Sequence, residues 1–212
     1  MEKTNQHLDD LSQIRSIMER STKFLSLSGW SGIFAGIFGL AGAIAAWFYL
    51  DGGAIYYDES FKLIKGERRL DPLTFMTINA LITLVLALSS AFFFSWLKAR
   101  KNGENIWTPA LRSLIKQLAL PLAVGGVLAL ILIYQQETTY IAAVTLIFYG
   151  LALFSAGRYT SYEIIYLGIA DILLGLAAAI WQDLGIYFWA IGFGVFHIIY
   201  GLVLYTKYDL KK

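Results

Sequence analysis

No cysteine occurs in this chain, histidine occurs twice and proline three times in 212 residues, and only 15% of the residues are charged. Each shortage excludes something. Without cysteine there is no disulfide, no thiol nucleophile and no thiolate metal site. A metal centre would want a third ligand at a depth similar to Asp171 and His197, and the sequence offers none. No metal and no cofactor are therefore expected. Soluble domains carry about a quarter of their residues as charges, well above this chain. The net charge of +2 supplies no basic footprint for nucleic acid.

What is present instead is a series of long charge-free runs in a chain that is 58% hydrophobic. A hydrocarbon core about 30 Å thick takes roughly 20 residues of helix to cross. The runs place spans at about 28–50, 73–97, 110–134, 139–157, 161–181 and 185–206. Asp71-Pro72 and Thr108-Pro109 each set a capping side chain before a proline at the first helical position. Thr160 with Glu163 three residues on reads as a capping box opening the fifth span. The fold class is all-α: a polytopic bundle of six transmembrane helices with both termini cytoplasmic, preceded by an amphipathic helix. The domain division is 1–27 interfacial, 28–206 transmembrane and 207–212 a cytoplasmic tail.

Orientation follows from the basic residues. With the N-terminus inside, thirteen fall on the cytoplasmic side: Lys3, Arg15, Arg20, Lys23, Lys98, Arg100, Lys101, Arg112, Lys116, Arg158, Lys207, Lys211 and Lys212. Only four, Lys62, Lys65, Arg68 and Arg69, fall opposite, all in one loop. Cytoplasmic loops carry the excess of lysine and arginine. Trp30, Trp96 and Trp107 then lie near the inner boundary, and Trp47, Trp181 and Trp189 near the outer one, as interfacial aromatic belts do. Bacterial inner membrane is the expected location.

Residues 5–25 place Leu8, Leu11, Ile14, Ile17, Met18, Phe24 and Leu25 at mostly helical spacing among polar residues. Such a helix lies on the membrane surface or under the bundle, or docks a cytoplasmic protein partner. A polar stretch this long before the first apolar run is unlike a cleavable signal peptide. Loop 51–71, with mixed charge and an Asp51-Gly52-Gly53 turn, reads as an ordered cap. GLAGAIAAW at 39–47 echoes GLAAAIW at 175–181, a faint sign of internal repetition.

Ionisable groups well inside a span are costly, about 2.5–3.5 kcal/mol on insertion scales. This chain has two, Asp171 and His197. They are equidistant from a turn centred near residue 184, so an antiparallel hairpin sets them opposite one another near the midplane. The same symmetry matches Gly168, Gly175 and Ala178 with Gly201, Gly194 and Ala190. The expected picture is a seam of small residues between the last two spans, with a carboxyl meeting an imidazole at its centre. The pair serves as a register lock for two helices or as a proton- or ion-linked site.

Other features are weaker. Gly32, Gly36, Gly39 and Ala43, with Ala35 beside them, give the first span a close-packing face, for the bundle or for a homo-oligomer. Pro121 and Gly125-Gly126 in the third span mark a kink or a hinge. Thr77, Asn79 and Thr83 form a small polar patch in the outer half of the second span.

Two motifs mislead. Gly29-Trp30-Ser31-Gly32 with His197 is similar to the serine–histidine pairing of rhomboid-like intramembrane proteases, but Ser31 and His197 lie at different depths, and catalysis needs the two in contact. Gly192-Phe193-Gly194 follows no strand, so it is no phosphate loop. The segments IRSIMERS at 14–21, LSGWSG at 27–32, Tyr166-Leu167-Gly168 with Gly175, and GFGVFHIIYG at 192–201 resemble a group of small uncharacterised bacterial six-span membrane proteins. The resemblance covers about a third of the chain, includes the histidine segment and carries no activity.

Two functions compete: a structural, assembly or regulatory membrane protein acting through partners, and a small proton- or ion-linked transporter using Asp171 and His197. An enzyme is not expected, because catalysis wants several converging polar groups. The partners implied are the lipid bilayer, a cytoplasmic protein through residues 5–25, and a second copy of the chain.

Overall fold

The structure, a computed structural model, describes residues 27–50 and 71–210. The expected amphipathic helix at 5–25, all but the last residue of loop 51–71, and Lys211 and Lys212 lie outside the described residues. Those described form six helices and no strand: α1 (Gly29–Tyr49), α2 (Pro72–Lys101), α3 (Pro109–Tyr134), α4 (Thr138–Tyr159), α5 (Glu163–Ile180) and α6 (Gln182–Asp209). All six are long and apolar enough to cross a membrane. One end of the bundle carries Trp181 and Leu50, the other Trp30 and Asp209.

Capping explains two helix starts. Asp71 accepts from the Thr74 amide at 3.4 Å, and Thr108 from the Leu111 amide at 3.2 Å, each satisfying an otherwise orphan donor. At the fifth span the cap position is Tyr162 rather than the expected Thr160. α5 begins at Glu163 itself with no side-chain cap, behind a tight turn at Gly157–Tyr159. The Glu163 carboxylate turns to Lys207 and accepts from Tyr208 at 3.2 Å. At the far end of α2, Lys98, Arg100 and Lys101 occupy the last turn, where cations favour the helix dipole.

The core is built by α1, α4, α5 and α6, with α2 laid along α1 and α3 along α4. α2 and α3 bury little of their length. Their outward faces show Leu81, Val85, Leu88, Leu120, Val127 and Leu130, exposed apolar side chains of the kind found at lipid or partner contacts. The two meet through a cluster of Ala99, Ile106, Ala110 and Leu111, all near the Asp209 end.

Glycine decides which helices pair, and it corrects the expected seam. Gly168 and Gly175 of α5 abut α4, where a methyl added at Gly168 would sit 2.7 Å from Gly150 O. Ala178 joins Ala143 and Leu146 of α4 in a buried cluster. Gly194 and Gly201 of α6 abut α1, where a methyl at Gly201 would sit 2.7 Å from Gly29 O and one at Gly36 would sit 2.6 Å from Gly194 O. Ala190 is half-buried. The small residues of the last two spans therefore face different helices. Close backbone approach is the common currency of membrane helix pairs, and here α4·α5 and α1·α6 share it. The face carrying Gly32, Gly36 and Gly39 is consumed inside the bundle, and Ala43 is buried with it.

α6 is interrupted twice by π-helical turns, at Ile191–Phe196 and Tyr205–Asp209. The second delivers Asp209 to the start of α1. Its carboxylate accepts from the Gly29 amide at 2.9 Å and from Ser28 Oγ at 3.4 Å, and it pairs with Lys98 at 2.7 Å. Lys98 also donates to Leu27 O at 2.8 Å. An acid at a helix N-terminus meets both free amides and the positive dipole end, so Asp209 ties the ends of α1, α2 and α6 together.

Candidate functional site

Three elements converge near mid-bundle. The first π turn of α6 begins one residue before Gly192 and ends one before His197. Within it the His197 Nδ1 reaches back to Gly192 O at 2.8 Å. A carbonyl only accepts, so Nδ1 carries the proton in this contact. The other ring nitrogen, Nε2, lies 2.6 Å from the Tyr149 hydroxyl of α4. A neutral imidazole protonated at Nδ1 then accepts from Tyr149 O–H, and both nitrogens are satisfied. His197 is 6% exposed, and such satisfaction is what a buried polar group needs.

Asp171 stands differently. It is fully buried, at 0% exposure, and neither carboxyl oxygen has a hydrogen-bond partner among the described residues. The expected Asp171–His197 contact is replaced by Tyr149–His197. The reason is the re-pairing of helices: α5 presses its small residues on α4 rather than on α6, so Asp171 meets α6 at Gly192 instead of at His197. Gly192 is the meeting point. A methyl there would lie 2.9 Å from Asp171 Oδ1, so the carboxyl rests against the turn whose carbonyl holds His197.

An aromatic column surrounds the cluster. Trp189 meets Phe193 at 4.9 Å between ring centres, Phe193 meets Tyr149 at 5.0 Å, and Tyr149 meets His197 at 5.3 Å. Ser31, the serine of the protease-like motif, donates to Ser28 O at 2.5 Å, whereas the bonds of His197 go to Tyr149 and Gly192. Pro121 sits inside α3, which remains helical from Pro109 to Tyr134. Gly125 is filled on one side by Phe148, whereas Gly126 faces open space.

Tyr149 is the site residue that sequence reasoning missed. A signal existed: it lies near the middle of its span, whereas most tyrosines here sit near span ends. Comparison with family models, curated proteins and solved structures returned no match in any of the three.

Proposed function

We propose that this chain is a multi-pass protein of the bacterial inner membrane, with the Asp209 end cytoplasmic, that couples solute movement to protons or cations through Asp171. The observation that carries the reading is a sealed carboxyl without a partner. A buried ionised carboxylate lacking hydrogen bonds is expensive, and more so among apolar helices. Asp171 is stable there when it holds a proton, takes a cation, or gains polar partners in a second arrangement of the bundle. Each of these is a change of state, which a transport cycle uses and a static register lock does not.

The neighbours suit that role. Gly192, against which the carboxyl rests, belongs to a π turn, a helix defect frequent at functional sites. Relaxing that turn would move Gly192 O, and with it the only hydrogen bond shown for Nδ1 of His197. Tyr149 and His197 already form a two-member hydrogen-bonded chain beside the acid. The alternative, an assembly or regulatory protein acting through residues 5–25, loses the Asp171–His197 lock.

The test is flux in proteoliposomes under an imposed pH gradient, read by a trapped pH dye across a panel of small solutes. The wild type should show solute-dependent proton movement at least about tenfold faster than Asp171→Asn, the scale of a lost proton-transfer group. Both proteins should give the same helical spectrum and elution volume. Equal rates, with a cytoplasmic protein captured through residues 1–25, would replace this reading with the partner-mediated one.

A further inference from the structure

A second feature lies at the Trp181 end and uses none of Tyr149, Asp171 and His197. Between α1, α2, α4 and α6, with Ile133 of α3 at its edge, is a cavity of about 470 Å³. That is the size of a small-molecule site, which pairs an apolar lining with a few fixed polar groups. Most of its wall is apolar, from residues such as Ala43, Ala46, Met76 and Ile186. The polar groups decide what it can hold.

Four of them, Thr77, Thr145, Asn79 and Gln182, have most of their donors committed to the chain, while the Thr138 and Thr139 hydroxyls also line the wall. Thr77 Oγ1 donates to Leu73 O at 2.8 Å and Thr145 Oγ1 to Ile141 O at 2.8 Å. Asn79 Nδ2 donates to Gly42 O at 2.8 Å. Gln182 Nε2 donates to Tyr140 Oη at 2.7 Å and to Ala179 O at 3.4 Å. Because Gly42 O and Ala179 O only accept, the orientation of both amides is fixed. What these four side chains have left over is mainly acceptor capacity: two hydroxyl oxygens, Asn79 Oδ1 and Gln182 Oε1. Asp183 adds a carboxylate, and no lysine or arginine is among the described lining residues. Trp189 contributes an aromatic wall, and Tyr187, whose Oη accepts from Trp47 Nε1 at 3.2 Å, stands beside it. Aromatic faces attract ammonium groups.

We propose that this cavity binds a small organic cation, a primary or secondary ammonium on an apolar body. The ammonium supplies the donors that the acceptors lack, Asp183 and Trp189 favour its charge, and the apolar wall takes the remainder. Among the described lining residues an anion would meet acceptors and an acid, with no lysine or arginine to offset them. The site is also placed to communicate inward. Thr145 and Trp189 each precede a cluster residue, Tyr149 and Phe193, by one helical turn, about 6 Å of rise. Binding itself does not depend on Asp171, and as the solute class of the transport cycle it rests on the reading above.

The experiment measures equilibrium binding to the full chain in lipid nanodiscs, with empty nanodiscs subtracted. The probes are 3-phenylpropylamine, 3-phenylpropanol and 3-phenylpropionate, matched in body and differing in head group. The amine should bind at least about tenfold tighter than the acid or the alcohol, as one charge-assisted hydrogen bond allows. Thr145→Val, nearly isosteric, should weaken the amine by a similar factor. Gln182 is only half-buried at a helix end, so its variants should fold: Gln182→Glu should tighten amine binding and Gln182→Lys should abolish it. Amine binding no greater than to empty nanodiscs, equal binding of the acid, or indifference to both Gln182 variants would overturn the proposal. Asp171→Asn should bind the amine like wild type, so a failure of the transport reading leaves this result separate.

Discussion

At the scale of single residues, the Tyr149–His197 bond and the bare Asp171 carboxyl pull in opposite directions. The first is a completed hydrogen-bonded pair. Removing one member strands the other, at a cost of about 1–3 kcal/mol. Tyr149→Phe should therefore lower the melting temperature in detergent, and Tyr149→Phe with His197→Phe should cost less than the two singles together, because they share one interaction. Additive losses would show that the two groups are not coupled. Asp171 has no bond to lose, so Asp171→Asn should leave melting close to wild type or raise it, while changing proton-linked flux. Gly192→Ala is the sharper insult, since its methyl must displace both Leu146 and the Asp171 carboxyl.

At the scale of helices, two devices deserve separate tests. The α1·α6 contact is a glycine-lined crossing, and Gly201→Ala should destabilise it by about 1–3 kcal/mol, the usual cost of overpacking. Gly126→Ala should be nearly silent, because its Cβ meets nothing, whereas Gly125→Ala must push Phe148 aside. Thermal melts of the three variants order them directly. The Asp209 clasp holds three helix ends with one carboxylate. Asp209→Asn should cost about 1 kcal/mol through the weakened cap, and the loss should shrink as salt rises, because partly exposed charges are screened.

For the molecule as a whole, the question is which end faces the cytoplasm. The absence of cysteine makes the chain its own clean background for single-cysteine labelling. Lys101 and Glu137 are both exposed and lie at opposite ends of the bundle. In intact cells a membrane-impermeant maleimide should label Glu137→Cys and spare Lys101→Cys. The reverse pattern would invert the orientation and with it the side from which the Trp181-end cavity is reached.

Apolar runs, Asp71-Pro72 and Thr108-Pro109 were legible in the linear sequence because they act locally: burying backbone in lipid forces helices, and a cap satisfies amides a few residues away. That Asp171 and His197 fall inside apolar helices was legible for the same reason, since it depends only on the run around each. Their partners were not. Which face of α5 meets which neighbour depends on how Gly168 and Gly175 fit α4, and how Gly194 and Gly201 fit α1, contacts between residues far apart in the chain. The π turn at Ile191–Phe196 adds a residue to a helical turn and re-aims all that follows, which a fixed helical period cannot anticipate. Sequence therefore determined the span count and the cost of the buried acid, while tertiary packing decided that His197 pairs with Tyr149 and that Asp171 is left without a partner.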